Sequence, residues 1–209
     1  DYIFEDINGD GKINNEDETF IGNPLPDFTY GIGNTFSWKG FDLTIFFSGS
    51  YGNDVINYNR RYIEDVRSNS NLLASAANYA KLGVTDPSLP AGDFRNLYVT
   101  NADMTHLPRL SASSTNANNR MSNLYIEDGS YLRLQNISLS YTLPKNLVRK
   151  IKLENVKVYM NLQNVYTWTK YDGFDPEVGA MYGDALMTGF FFNDTATTEI
   201  YTFGLNVSF

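Results

Sequence analysis

Tyr201–Phe209, which reads YTFGLNVSF, is the stretch from which the rest of the chain is best interpreted. Side chains of a β-strand alternate between two faces. Tyr201, Phe203, Leu205, Val207 and Phe209 therefore share one apolar face, and small uncharged residues occupy the other. An aromatic or aliphatic outer face with a small polar inner face is typical of a strand in an outer-membrane barrel. With its terminal Phe, this stretch is predicted to be the closing strand of such a barrel.

Composition and charge limit the classes of function. The 209-residue chain has a formal net charge of −8, which argues against a nucleic acid partner because phosphate binding requires a basic face. It has no Cys, which excludes disulfides and thiol chemistry, and no apolar run approaches the roughly 20 residues of a membrane helix. The chain begins Asp-Tyr-Ile, without Met or a signal peptide, so we expect it to be the C-terminal part of a longer protein.

Alternation also predicts two β-hairpins. In the first, Lys39-Gly40 forms a two-residue turn between residues 28–38 and 41–50. In the second, the alternation changes phase near Gln135, which predicts either a β-bulge there or a strand that rises above the lipid. Each run is close to the 9–11 residues that a tilted strand needs to cross a bilayer. About five strands result, and five cannot close a membrane barrel. We therefore predict an all-β fold: antiparallel C-terminal strands of a large transmembrane β-barrel with long extracellular loops.

The tight turn orients the predicted segments, because outer-membrane barrels have short periplasmic turns and long extracellular loops. Residues 1–23 are expected to be a calcium-loop-like extracellular segment, and 53–124 a long extracellular loop with a short helix at 71–82. Residues 171–199 form a further extracellular loop. The two hairpins occupy 24–52 and 125–170, and 200–209 is the closing C-terminal strand.

Residues 6–17, DINGDGKINNED, have the pattern of a calcium-binding loop. Gly11 occupies the sharp turn, and position twelve holds an Asp where a bidentate Glu is usual, which predicts a weaker or dockerin-like site. The alternative is an Asx-rich turn that needs no metal. Ca²⁺ is the one cofactor that the sequence suggests, and none is required. Its ligands would be Asp6, Asn8, Asp10, Lys12 through its carbonyl, and Asp17.

The groups that an enzyme would need are sparse, so we do not expect catalysis. His106 is the single His and lies in a Pro-containing turn. Glu127 and Asp128 are adjacent and point apart on an extended chain, which disfavours acid–base chemistry. A second acidic loop either holds a cation or, as we expect, carries solvated charge; its members are Asp172, Asp175 and Glu177.

Three tyrosines are candidates for contact with a ligand. Tyr51, Tyr58 and Tyr62 lie at or beyond an outer strand end, whereas the other aromatic residues lie mostly on strand faces, where contact with lipid explains them better.

Four stretches occur in series: residues 6–54, 125–148 (YIEDGSYLRLQNISLSYTLPKNLV), 156–179 (VKVYMNLQNVYTWTKYDGFDPEVG) and 201–209. Together they resemble the C-terminal end of a SusC/RagA-type TonB-linked outer-membrane transporter of the Bacteroidota. The resemblance implies a barrel plugged by an N-terminal domain, which is absent from this chain and through which the TonB–ExbB–ExbD system supplies energy. It also implies a SusD-like lipoprotein lid, glycan or oligopeptide cargo, and contact with outer-membrane lipid. The apolar row of residues 201–209 resembles the signal read by the barrel-assembly machinery.

Residues 190–202 depart from the family pattern. They read FFFNDTATTEIYT, where the family usually has a loop rich in Gly, Pro and Tyr. Residues 193–202 also match a translation of a common short-read sequencing adapter. We hypothesise that this segment is an assembly artefact joined to a genuine C-terminus, which resequencing the locus from independent DNA would test.

Two functions follow from these patterns. The first is part of a TonB-dependent importer in the outer membrane. The alternative is a secreted calcium-binding β-sandwich module for carbohydrate adhesion. The exposed apolar rows favour the importer, because such patches on a soluble monomer would aggregate.

Overall fold

Antiparallel β-structure dominates the computed structural model, which describes residues 1–65, 67, 71–90, 93–111, 117–177 and 197–209. The strands are β1 Phe28–Trp38, β2 Phe41–Tyr51, β3 Asp54–Ile56, β4 Leu82–Val84, β5 Leu97–Val99, β6 Ile126–Asp128, β7 Tyr131–Thr142, β8 Asn155–Thr169 and β9 Ile200–Ser208. Five long strands form one sheet in the order β1-β2-β7-β8-β9, while β3 pairs with β6 and β4 with β5. The predicted all-β class and the five long strands are confirmed.

Helical structure is limited to short elements. The α-helices are α1 Tyr58–Ile63 and α2 Lys145–Val148. Single 3₁₀ turns occur at Asn15–Asp17, Ala74–Asn78, Phe94–Asn96, Ala102–Met104, Asn123–Tyr125 and Arg149–Ile151. No helix within the described ranges is long and apolar enough to cross a bilayer.

The first hairpin forms as predicted. Lys39 and Gly40 have φ values of +46° and +90°, which is the left-handed backbone that a tight two-residue hairpin turn requires. A Cβ on Gly40 would lie 2.7 Å from the carbonyl oxygen of Thr142, so a glycine is also needed for space. The same residue accepts a hydrogen bond from the Thr142 N–H, which joins the turn to β7.

The pairing register confirms the predicted apolar face. Trp38 pairs with Phe41, Phe41 with Tyr141, Tyr141 with Val158 and Val158 with Leu205 across the five strands. Cross-strand partners point to the same side of a sheet, so these side chains form one continuous apolar row.

The phase change in β7 is a β-bulge, which settles the choice that the sequence left open. The register of β7 against both β2 and β8 shifts between Leu134 and Asn136, and Gln135 is the extra residue relative to β2. In β8 the shift coincides with Asn164, whose φ is +53°. Because the bulge restores the phase, Leu132 and Leu134 lie on the same face as Ile137.

The apolar face of the sheet is uncovered. Phe36 is 60% exposed, Trp38 68% and Phe203 72%. A β-sandwich would require a second sheet over this face, and the described residues provide none. The geometry therefore does not favour the adhesion-module alternative.

The chain divides into two compact units. One contains residues 1–21 and 58–125, and the other contains residues 22–57 and 126–209. The segment predicted as a long loop, 53–124, is divided between them: 53–57 fall in the unit with the five-stranded sheet, and 58–124 fall in the other. Residues 54–56 form β3, which pairs with β6 in a separate two-stranded sheet; both strands have only three residues and are too short to show a pattern in the sequence. The extracellular position of 53–124 stays a prediction.

The helix predicted at residues 71–82 is wrong. Only the 3₁₀ turn Ala74–Asn78 forms there, Tyr79 bridges to Leu107, and β4 pairs with β5. Gly83 lies inside that strand pair and does not stop a helix. Long-range pairing has overridden the local apolar spacing.

The hypothesis of an artefact at 190–202 remains untested. Residues 190–196 fall outside the described ranges. Ile200, Tyr201 and Thr202 begin β9 and pair with Gln163, Leu162 and Asn161.

Candidate functional site

The polar face of the sheet is the first part of the candidate site. Most of its side chains are small or amide-bearing, and the rings of Phe46 and Tyr159 lie over glycines of the neighbouring strands. Charged residues, Asp42 and Lys157, lie near the Lys39-Gly40 turn. Thr35 and Thr44 form a cross-strand hydrogen bond of 3.1 Å, and the Ser37 hydroxyl donates to Asp42 at 2.6 Å.

The second part is a charged cluster at the upper end of this face, meaning the end opposite the Lys39-Gly40 turn. Arg133 of β7 pairs with Ser48 and Thr167 and is only 4% exposed. Its Nη2 donates to Asp175 Oδ1 at 2.6 Å, and its Nη1 donates to Glu177 Oε2 at 2.7 Å. Its Nε donates to Thr167 Oγ1 at 2.9 Å. We call Arg133, Thr167, Asp175 and Glu177 the Arg133 cluster.

Glu127 makes a second connection at this end. Its Oε1 accepts a hydrogen bond from the side-chain amide of Asn57 at 3.0 Å. Its Oε2 accepts from the backbone N–H of Asp172 at 2.9 Å. Asp175, a loop carboxylate expected to be solvated, is instead buried beside Arg133. Glu177 also pairs with Arg133, and its side chain stays 62% exposed. Glu127 binds structural groups at this end.

The three candidate tyrosines belong to two different units. Tyr51 pairs with Phe28 on the apolar face, its ring stacks on that of Phe28 at 5.4 Å, and it is 56% exposed. Tyr58 is buried, and its hydroxyl lies 3.1 Å from Arg61 Nη1 and 3.3 Å from the Tyr62 hydroxyl. Tyr62 is 53% exposed. Contact with a ligand stays a prediction for these residues.

Asp65 and Arg67 form an ion pair within the unit formed by residues 1–21 and 58–125. Arg67 Nη2 lies 2.7 Å from Asp65 Oδ2, and this pairing holds the pKa of Asp65 below its usual range. Burial raises the pKa of Tyr2 to about 12.

A cavity of about 50 Å³ lies beside Tyr2, Asp65, Arg67 and Tyr125. It has room for one or two water molecules and is too small for cargo.

The side-chain oxygens of the calcium-loop residues accept hydrogen bonds from the loop's own backbone N–H groups. Asp6 accepts from the N–H groups of Gly9 and Gly11, both at 2.8 Å, and Asn8 Oδ1 accepts from Asp10 at 3.0 Å. Gly11 has a φ of +78°, as expected for the residue at the sharp turn. These bonds are those of an Asx-rich turn.

The remaining carboxylates of this loop are also satisfied. Asp10 accepts from the backbone N–H of Lys12 at 2.8 Å. Asp17 accepts from Asn14 at 2.8 Å and from Ile7 at 2.9 Å, and the Asn14 bond lowers the pKa of Asp17 below its usual range. No group of three or more His, Cys, Asp or Glu residues placed to hold a metal occurs in the part of the chain that the structure describes.

Calcium binding therefore stays a prediction. If the loop binds Ca²⁺ in the full-length protein, isothermal titration should show one saturable event that Asp10→Ala removes. The Asp17→Glu variant should bind more tightly, because Glu reaches the ion in bidentate fashion. If the wild-type protein shows no heat of Ca²⁺ binding in this titration, the loop is an Asx-rich turn that needs no metal.

Comparison with known proteins places the chain among membrane receptors. No family profile matches it. It is 33% identical over 212 residues to TonB-dependent receptor P39 of Formosa agariphila and 30% identical over 211 residues to receptor P3 of the same organism. It is also 28% identical over 178 residues, 84% of the chain, to TonB-dependent receptor SusC of Bacteroides thetaiotaomicron. The chain spans about a fifth of the length of these relatives: 19% of P39 and P3, and 15% of SusC.

Solved structures agree with the sequence relatives. The RagAB peptide importer in its open-open state superimposes with a TM-score of 0.70 at 25% identity, over 95% of this chain and 19% of the matched chain. A second RagAB structure gives 0.65 at 26% identity, over 88% of this chain and 17% of the matched chain. The chain is part of a SusC/RagA-type TonB-dependent receptor. The sheet of this receptor segment is accordingly an incomplete barrel wall.

The sequence alone did not reveal the Arg133 cluster of the receptor segment. Its one available signal was Arg133 itself, a single cation on the otherwise uncharged polar row of β7. Asp175 and Glu177 are 42 and 44 residues away in the chain, and no local pattern links them to β7. Only the tertiary structure reveals that partnership.

A cross-strand tyrosine–glycine pair on the polar face supports a prediction. A Cβ on Gly204 would lie 2.2 Å from Cζ of Tyr159, its partner in β8. We expect Gly204→Val in the full-length receptor to cost about 1–3 kcal/mol, because overpacking displaces the ring. Asn206→Val is the control on the same face of β9. Adding Tyr159→Ser to Gly204→Val should recover most of the lost stability, because the smaller side chain makes room for the valine. If the two changes are additive in a double-mutant cycle, the contact between these positions is contradicted.

Proposed function

We propose that this receptor segment supplies five barrel strands and outer loops of a TonB-dependent importer in the outer membrane. The observation that carries the proposal is the two-faced sheet, which has an exposed apolar face on one side and a small polar face on the other. In lipid, backbone groups must pair within the protein, and a closed sheet with its apolar face outward satisfies this requirement. The open edges of β1 and β9 then require further strands of the same barrel.

The dimensions of the sheet support this assignment. From Phe28 to Trp38, β1 advances ten residues, which at about 3.3 Å per residue and a tilt of about 40° rises roughly 25 Å along the membrane normal. Aromatic contacts occur at both ends of this band. Phe41 stacks on Tyr141 at 4.3 Å near the hairpin turn, and Tyr166 packs against Trp168 at 4.8 Å near the upper end. Aromatic rings at two levels fit the two interfaces of a bilayer.

The cargo is proposed to be glycans or oligopeptides, delivered beneath a SusD-like lipoprotein lid. Two relatives support this choice. One matched structure is described as a peptide importer, RagAB, and another relative is SusC. Energy would come from TonB–ExbB–ExbD through a plug outside this chain. The segment forms the wall and mouth of the importer and carries no assigned covalent chemistry.

Membrane fractionation of the full-length protein tests the proposal. We expect it in the outer-membrane fraction, with the shift in gel migration on heating that marks a folded barrel, and in a complex with a neighbouring lipoprotein. Identifying the ligand that co-purifies with this complex would distinguish a glycan from a peptide. A soluble, monomeric full-length protein would refute the importer.

A further inference from the structure

We infer that Arg133 is a positioning residue that fastens residues 171–177 to the inner wall of the barrel at its outer rim. The inference rests on the proposed function for the location of this rim. The contacts themselves all lie within the unit that contains the sheet. Arg133 stands on a long central strand, whereas both of its carboxylate partners stand in the segment that follows β8.

Three of the five N–H donors of the Arg133 guanidinium, one on each nitrogen, make the hydrogen bonds of the Arg133 cluster. Nη1, Nη2 and Nε each donate to a different oxygen, at distances between 2.6 and 2.9 Å. The Tyr131 ring lies 5.2 Å from Cζ of Arg133. A buried cation is costly unless it is paired and hydrogen-bonded. The carboxylates of Asp175 and Glu177 therefore stabilise the buried charge of Arg133. Because each nitrogen already donates to a protein oxygen and the side chain is only 5% exposed, Arg133 is better suited to hold the loop than to bind cargo.

Three further contacts make residues 171–177 dock as a unit. The Asp172 N–H donates to Glu127, as described above. The Thr169 hydroxyl donates to the Ser130 carbonyl at 2.9 Å, and the Tyr171 N–H donates to that hydroxyl at 3.1 Å. Tyr171 is buried, and its ring occupies the space where a Cβ on Gly173 would lie. The charged pairs therefore add directional strength to a segment that already lies against the sheet.

The chain provides a protease site that reports on this docking. Lys170 lies at the base of the segment, and its side chain is 86% exposed. Trypsin cleaves only where several residues of backbone on both sides of the bond can enter its active site. Cleavage after Lys170 therefore requires fraying of the end of β8 together with release of Tyr171 and the residues beyond it.

The test uses the full-length receptor in intact cells, with cleavage after Lys170 followed by mass spectrometry. We expect Arg133→Gln to raise the initial cleavage rate roughly tenfold or more, because the two carboxylates lose charge-assisted bonds. The double variant Arg133→Asp, Asp175→Arg exchanges the two charges and should return the cleavage rate towards the wild-type value. Lys157→Gln is the control on the same face near the hairpin turn and should leave the rate unchanged.

The outcomes separate the two claims. A wild-type cleavage rate in Arg133→Gln, with a heat-modifiable barrel, overturns the positioning role and leaves the importer intact. Failure of the charge exchange to slow cleavage also overturns it, because a purely structural defect would not be rescued by swapped charges. If Arg133→Gln fails to assemble, the double variant Asp175→Asn, Glu177→Gln tests the same bonds from the loop side. If that variant assembles and keeps the wild-type rate, the inference is wrong.

Discussion

An arginine in place of Ile137 is expected to reduce the folded, membrane-inserted fraction of the full-length receptor roughly 30-fold or more, whereas an arginine in place of Ser138 is expected to be tolerated. The two positions are neighbours in β7 and point to opposite faces. Ile137 pairs with Ile45 and Leu162 near the middle of the sheet. An arginine that faces lipid at the bilayer midplane costs about 2–4 kcal/mol. That is a large fraction of the stability of a typical fold.

Ser138 is a matched control because it pairs with Thr44 and Asn161 on the polar face. An arginine there would meet water in the barrel interior. The measurement is the fraction of heat-modifiable protein in outer-membrane preparations, together with the urea midpoint of unfolding in detergent. Equal effects of the two substitutions would mean that the sheet does not separate lipid from water.

Phe209→Ala is expected to lower the amount of assembled receptor about tenfold or more, since losing a Phe side chain from an apolar environment costs about 1.5–3 kcal/mol. Phe209 follows the last strand pair, Asn155 with Ser208, and is 88% exposed in this chain. It extends the apolar row of β9 that we predict to be the assembly signal. Outer-membrane levels measured by immunoblot, normalised to total synthesis, check the expectation.

Ser208→Ala changes the adjacent residue on the opposite face and should leave assembly unchanged. If Phe209→Ala also assembles at the wild-type level, the assembly signal does not depend on this residue. The next variant to examine is then Phe203→Ala, which lies within the same row and pairs with Met160.

Much of the sheet was predictable because its physics is local. Strand alternation requires only neighbouring residues, so β1 was predicted with the limits that the structure has, and β2 within one residue. The tight turn at Lys39-Gly40 was predictable because few residue pairs adopt its left-handed backbone. Even the bulge at Gln135 was visible as a change of phase.

The candidate site was far less predictable because its partners are distant in sequence. Arg133 meets Asp175 and Glu177 only after β8 has returned the chain along the sheet. Tyr58 was a ligand candidate because it lies beyond an outer strand end. In the structure its side chain is buried and its hydroxyl contacts Arg61 and Tyr62. The helix expected at 71–82 gave way to pairing between β4 and β5, which local spacing cannot anticipate.

The sequence alone determined that this chain forms strands with one apolar face and one small polar face, because side chains alternate between the two faces of an extended chain. YTFGLNVSF already contained that information. The tertiary structure alone decided which charges meet at the upper end of the polar face and which loop they hold. Such contacts depend on the register and return path of strands far apart in the chain, and no local pattern encodes them.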